Sequence, residues 1–193
     1  GSTVVLAVFI NALAVAFVLF ALIETFGSVS GAHFNPAVTL ALLASKEIDK
    51  RKAACYIGVQ LAGGFLGMLV AHLMFLGTTS TFYPDTSTLI TISSNVKLPA
   101  LYFAEFIGTF LLVGVIIGCV RGGSKHTGLS VALVVGGMLV TTSSTMFANP
   151  AVTFARIFTH AICGIAPESA VFFIIAEIVG AISATYVFGI MFP

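Results

Sequence analysis

Asn35-Pro36-Ala37 and Asn149-Pro150-Ala151 are the residues whose types and spacing most directly suggest chemistry in this chain. An Asn side chain carries one acceptor oxygen and two N–H donors, so it can cap a helix and still offer a donor to a passing molecule. Proline at the next position fixes the first helical residue, where a backbone N–H would be unpaired anyway. Each tripeptide therefore reads as an N-cap followed by a helix start. The surroundings match as well: Phe34-Asn35-Pro36-Ala37-Val38-Thr39-Leu40-Ala41 lies against Ala148-Asn149-Pro150-Ala151-Val152-Thr153-Phe154-Ala155, 149 − 35 = 114 positions on. Gln60-Leu61-Ala62-Gly63 is echoed by Glu177-Ile178-Val179-Gly180, 177 − 60 = 117 positions on. A single Asn-Pro-Ala arises by chance in many proteins. Two in near-identical contexts mark an internal repeat.

The elements that must position these residues are membrane helices. Of 193 residues, 59% are hydrophobic and 8% charged, against about a quarter charged in a soluble domain. The net charge of +1 gives no basic field for nucleic acid. Five apolar stretches, at about 3–26, 53–76, 100–120, 127–145 and 169–191, meet the roughly 20 residues that a spanning helix needs. Inside lipid each must close its own backbone hydrogen bonds as helix. The segments 35–44 and 149–158 are too short to cross and read as half-helices that enter the membrane and stop. Three spans separate the two copies, so the second enters from the opposite side. Inverted repeats with broken helices place a site near the midplane. The chain thus reads as one all-α membrane domain over 1–193: repeat one at about 1–76, an outer loop at 77–99, and repeat two at about 100–193.

Charge orients the set. The linker 45–52 holds Lys46, Lys50, Arg51 and Lys52, and the linker 120–127 holds Arg121 and Lys125. Both are expected to be cytoplasmic by the positive-inside rule. The loop 77–99, with only Asp85 and Lys97 charged, is expected outside, and so is residue 1. No cleavable signal is apparent at the start of the sequence.

This arrangement has a physical consequence. Two half-helix N-termini meet at mid-membrane, each carrying about half a positive charge, and that field repels cations, hydronium included. The amides of Asn35 and Asn149 would donate to the oxygen of a passing molecule. A water accepting from both cannot keep its place in a proton-conducting wire. Carbonyls of residues 31–34 and 146–148 would supply acceptors, since irregular backbone at that depth must line a wet cavity or be buried in protein. Each Asn also caps its helix, and the two roles are compatible.

Ser30-Gly31-Ala32-His33-Phe34-Asn35-Pro36-Ala37-Val38-Thr39 resembles the first signature of the aquaporin (major intrinsic protein) family. Asn149-Pro150-Ala151 resembles its second, and Ala104-Glu105-Phe106-Ile107-Gly108-Thr109-Phe110 resembles the opening of one of its repeats. The resemblance covers essentially the whole chain. It implies a right-handed bundle of inverted repeats with two re-entrant half-helices, one pore per chain, a homotetramer, and a multi-pass protein of a plasma or bacterial or archaeal inner membrane. Family members have six spanning helices. The one expected before residue 3 is missing, so the sequence reads as a truncated or naturally shortened form.

The resemblance also locates a selectivity filter. Where most members carry Arg after the second Asn-Pro-Ala, this chain has Val152; the other filter positions fall on Val15, Gly137 and Met146. Val, Gly, Met and Val make a wider and more apolar constriction, favouring bulkier neutral solutes over strict water selectivity. Arg156, seven residues after Asn149, lies about two turns on and about 10 Å outward. Two readings stand for it: a guard of the outer vestibule, or a snorkelling or carbonyl-capping Arg. Asn-Pro-Ala-Val-Thr-Phe-Ala-Arg with Gly164-Ile165-Ala166-Pro167 is similar to a microbial branch associated with arsenic resistance. That implies trivalent arsenic or antimony hydroxides, which are neutral and glycerol-like.

Other polar residues read more simply. Glu105 and Glu177 are intramembrane carboxyls expected to tie loop amides or support the half-helices. His33 is expected to line the inner pore mouth, and Phe34 to be pore-lining or in a vestibule. Glu24 is assigned no role. His72, His126 and His160 are isolated, and Cys55, Cys119 and Cys163 lack metal or redox spacing, so neither metal nor cofactor is expected. Gly63, Gly64, Gly67 and Gly180 are expected to permit close helix crossings. An enzyme is set aside, because no nucleophile elbow or metal spacing is present. Two alternatives stay open. A secondary transporter would need a mid-membrane cation site or carboxylate pair, and none is expected. A non-conducting structural member would show a blocked pore or no flux.

Overall fold

The computed structural model describes residues 2–77 and 88–193. Residues 78–87 of the predicted outer loop 77–99 lie outside the described residues. Among the described residues seven helices follow in order: α1 (Ser2–Ser30), α2 (Pro36–Ala44), α3 (Lys50–Phe75), α4 (Pro99–Arg121), α5 (Thr127–Thr141), α6 (Pro150–Ala155) and α7 (Pro167–Met191). A 3-10 turn over Arg156–Phe158 extends α6. The chain is all-helical among the described residues. Helices α1, α3, α4 and α7 are long and apolar enough to cross a membrane.

Helix α5 is shorter than its apolar run. It stops at Thr141 because the following hydroxyls compete for backbone partners. Thr142 Oγ1 donates to Met138 O at 2.6 Å, and Met146 N donates to Thr142 Oγ1 at 3.0 Å. The predicted end at 145 is corrected on that ground. Helix α1 runs one turn further than 26, closed by Gly31 N donating to Gly27 O at 2.9 Å.

Packing is tightest where side chains are smallest, as in other membrane bundles. A Cβ on Gly180 of α7 would lie 2.5 Å from Phe106 O of α4, so that crossing is nearly backbone to backbone. A Cβ on Gly136 of α5 would meet Ala16 Cβ of α1 at 2.9 Å. Gly64 approaches Ala151 O, whereas nothing lies within 4 Å of a Cβ at Gly63 or Gly67. Of the four glycines expected at close crossings, only Gly64 and Gly180 are in one here. Large apolar side chains cover the outward faces of α1 and α3, the surface a lipid-facing helix presents.

The two ends differ. At one, Arg121 pairs with Glu47 at 3.6 Å and donates to Phe192 O at 2.7 Å, gathering both basic linkers beside the last residues. At the other, the segment before α4 runs along the segment after α6. Ser93 N donates to Ile157 O at 2.8 Å, Ala166 N to Asn95 O at 2.9 Å, and Asn95 Nδ2 to Gly164 O at 3.0 Å. His72 of α3 holds both through Leu89 O (2.7 Å) and Thr159 Oγ1 (2.8 Å).

Candidate pore site

The half-helices meet N-terminus to N-terminus, and the contact between them is reciprocal. Asn35 caps α2, its Oδ1 accepting from Ala37 N at 2.8 Å. Asn149 caps α6, accepting from Ala151 N at 3.0 Å and Val152 N at 3.4 Å. Each amide nitrogen then reaches across. Asn35 Nδ2 donates to Ala148 O at 2.6 Å, and Asn149 Nδ2 donates to Phe34 O at 2.9 Å. An amide nitrogen has two hydrogens. One of each pair is used in the crossing bond.

The backbone that delivers the caps repeats too. Gly31, Ala32 and Phe34 have φ of 78°, 46° and 48°; Thr145, Met146 and Ala148, each 114 positions later, have 60°, 34° and 47°. Five of these six are not glycine, and such conformations cost on the order of 1–3 kcal/mol each. The surroundings must therefore hold them. In the second loop Glu105, fully buried on α4, does so: Oε1 accepts from Phe147 N at 2.9 Å and Oε2 from Ala148 N at 2.7 Å. Charge-assisted bonds of this kind are roughly twice as strong as neutral ones.

Behind each half-helix stands a threonine on a long helix's polar side chain. Gln60 Nε2 of α3 donates to Thr39 Oγ1 at 3.0 Å, and Thr153 Oγ1 donates to Glu177 Oε1 of α7 at 2.6 Å. Thr39 and Thr153 were assigned no role on sequence, although the 114-residue offset aligns them. The aromatic neighbours correspond as well: His33 lies 5.1 Å from the Tyr56 ring, and Phe147 lies 5.0 Å from Phe173. His33 is also held by Thr39, Nδ1 to Oγ1 at 3.1 Å. Phe34 is partly exposed and edge-on to Phe26.

Glu105 and Glu177, expected to tie loop amides or support the half-helices, are both fully buried. Their bonds go to the amides of Phe147 and Ala148 and to the Thr153 hydroxyl, behind α6.

The four filter positions are not equivalent. Val15 is half-buried on α1; Gly137 is exposed on α5, with nothing within 4 Å of a Cβ there. Val152 lines a cavity of about 170 Å³ between α3 and α6, together with Met68, His72, Arg156 and Cys163. Met146 is buried, and its side chain packs towards Gly108 of α4. The Arg156 guanidinium carbon lies over Phe147, 4.0 Å from the ring centroid, a favourable cation–π position. Its Nη1 is buried without a hydrogen-bond partner. Nearby Lys97 is held below its ordinary pKa by burial first and then by the Arg156 charge. Among the described residues no three His, Cys, Asp or Glu side chains group as a metal site.

Two apposed half-helices capped by Asn, inside a bundle of apolar spanning helices, define a membrane channel of inverted repeats. Comparison with known proteins gives the family. The model of the major intrinsic protein family matches residues 2–147. The chain is 37% identical over 180 residues to aquaglyceroporin AqpS of Rhizobium meliloti, covering 93% of this chain and 73% of that protein. It is 33% identical over 189 residues to the probable aquaporin AqpM of Archaeoglobus fulgidus, covering 91% and 73%. Nodulin-26 of Glycine max is 31% identical over 183 residues, covering 90% and 62%. The chain belongs to the major intrinsic protein family. It is an integral membrane protein of a family of channels for water and small solutes, not enzymes.

Proposed function

We propose that this channel passes water together with bulkier neutral solutes of glycerol size, trivalent metalloid hydroxides among them, and excludes protons and ions. The observation that carries the proposal is the reciprocal bonding of Asn35 and Asn149, which leaves one amide hydrogen on each for a solute oxygen. The positive ends of α2 and α6 lie beside it and oppose cations. At the outer end Val152 stands where a positive, space-filling side chain would narrow the passage. Val15 and Gly137 add no bulk or charge, and Met146 completes the set of filter positions. The similarity to a protein named as an aquaglyceroporin supports the same preference. Arg156, on the wall of the outer cavity, acts as the vestibule cation. The repeat division, at about 1–76 and 100–193 around the outer loop 77–99, is part of this reading. So are the homotetramer and an inner-membrane location, the apolar faces of α1 and α3 being available to lipid or a neighbouring copy.

Substitution at the filter is the test. V152R should restore a narrow charged constriction, reducing glycerol and arsenite uptake by proteoliposomes at least tenfold while keeping water flux within a few-fold. Equal glycerol flux in both proteins would remove Val152 from the filter. A coupled transporter is the second reading that two fully buried carboxyls, Glu105 and Glu177, raise; solute-driven proton uptake would favour it.

A further inference from the structure

We propose that the linker between α2 and α3 is a binding site for the headgroup of an anionic phospholipid. A hollow of about 560 Å³ opens there among three lysines, Lys46, Lys50 and Lys52, and over two apolar residues, Leu43 and Ile48. Two acids also line it, and both are already engaged. Glu47 pairs with Arg121 at 3.6 Å, and Asp49 Oδ1 accepts from Lys52 N at 2.9 Å as the cap of α3. Lys52 Nζ lies 5.4 Å from the centroid of the Tyr56 ring. Lys46, Lys50 and Arg51 are exposed and, among the described residues, have no ion pair. Their charge is left for an anion from outside the chain.

The linker is held in one shape by its own backbone. Ser45 N donates to Ala41 O at 2.9 Å, Lys46 N to Leu43 O at 3.0 Å and Glu47 N to Leu42 O at 2.9 Å. The place of the hollow in the bundle selects a lipid over a dissolved phosphate. It lies at the foot of α3, a helix long and apolar enough to cross a membrane. The outward face of α3 carries Val59, Leu66, Val70 and Leu73, each more than half exposed. Acyl chains can lie along that face while the phosphate stays among the lysines, with Leu43 and Ile48 beneath the junction. Basic residues beside the cytoplasmic end of a spanning helix attract anionic lipid, each worth a factor of about five in affinity.

Native mass spectrometry of the whole protein in detergent tests this, with phosphatidylglycerol, phosphatidylcholine and inorganic phosphate as probes. Wild type should bind phosphatidylglycerol at least about tenfold more tightly than phosphatidylcholine, and K46Q/K50Q/R51Q should lose that preference. The single variants K46Q and K50Q, at exposed positions, should each lose a factor of about five. K125Q, in the other basic linker, should lose none. Equal binding of the two lipids by wild type, or single variants that lose no more than K125Q, would overturn the proposal. Displacement of phosphatidylglycerol by millimolar inorganic phosphate would assign the hollow to a dissolved anion and overturn the lipid reading. None of these outcomes depends on whether the channel conducts.

Discussion

Asn35 and Asn149 are bound each to the other's loop: the amide of Asn35 donates to the carbonyl of Ala148, and that of Asn149 to the carbonyl of Phe34. Each acceptor is the residue immediately preceding the opposite asparagine. Either half-helix therefore depends on the other loop for its placement, and the two repeats are locked together at these side chains.

Cutting Asn35 to Ala removes the cap on Ala37 N and the donor to Ala148 O at once. A lost cap costs about 1 kcal/mol, and an unsatisfied buried carbonyl about 1–3 kcal/mol. N35A should therefore unfold at lower temperature in detergent and lose most of its water flux. Wild-type stability and flux would show that the crossing bond is dispensable.

Glu105→Gln keeps the size of the side chain but offers one acceptor oxygen to two loop amides. One N–H would face an NH2 group, so a stability loss of about 2–3 kcal/mol is expected. Thermal unfolding in detergent measures it, and an unchanged midpoint would remove Glu105 as the loop's support.

A methyl group at Gly180 would meet the Phe106 carbonyl, and backbone cannot move aside as a side chain can. G180A should lose about 1–3 kcal/mol. G137A, at an open position, should stay within about 0.5 kcal/mol of wild type. Equal midpoints for the two variants would contradict the close α4–α7 crossing.

Burial and the Arg156 charge lower the pKa of half-buried Lys97. The folded protein therefore binds this proton less readily than the unfolded chain. The penalty applies below the folded pKa and is relieved as pH rises towards the unfolded value near 10.5. K97M should raise the unfolding midpoint at neutral pH, with the gain shrinking under alkaline conditions. A constant difference across pH would assign the gain to packing instead.

Much of this was legible in the amino-acid pattern. The Asn-Pro-Ala pair and its offset located both half-helices and their opposed entry. The apolar runs located the spanning helices to within a turn, α5 excepted, where the hydroxyls after Thr141 end the helix inside an apolar stretch. The loop conformations were not legible, because five of the six positive-φ residues are not glycine and are held by tertiary bonds such as those from Glu105. The direction of Met146 was equally hidden, depending on the space left by Gly108 on another helix. Thr39 and Thr153 could have been found, since the 114-residue offset aligns them and the 117-residue offset pairs Gln60 with Glu177.

Stopped-flow light scattering on proteoliposomes, with a pH-sensitive dye inside, tests the central claim most directly. Osmotic steps with an impermeant solute and then with glycerol should give fast water and glycerol flux, without dissipation of an imposed proton gradient. Proton leak accompanying water flux, or no flux of either solute, would contradict the account.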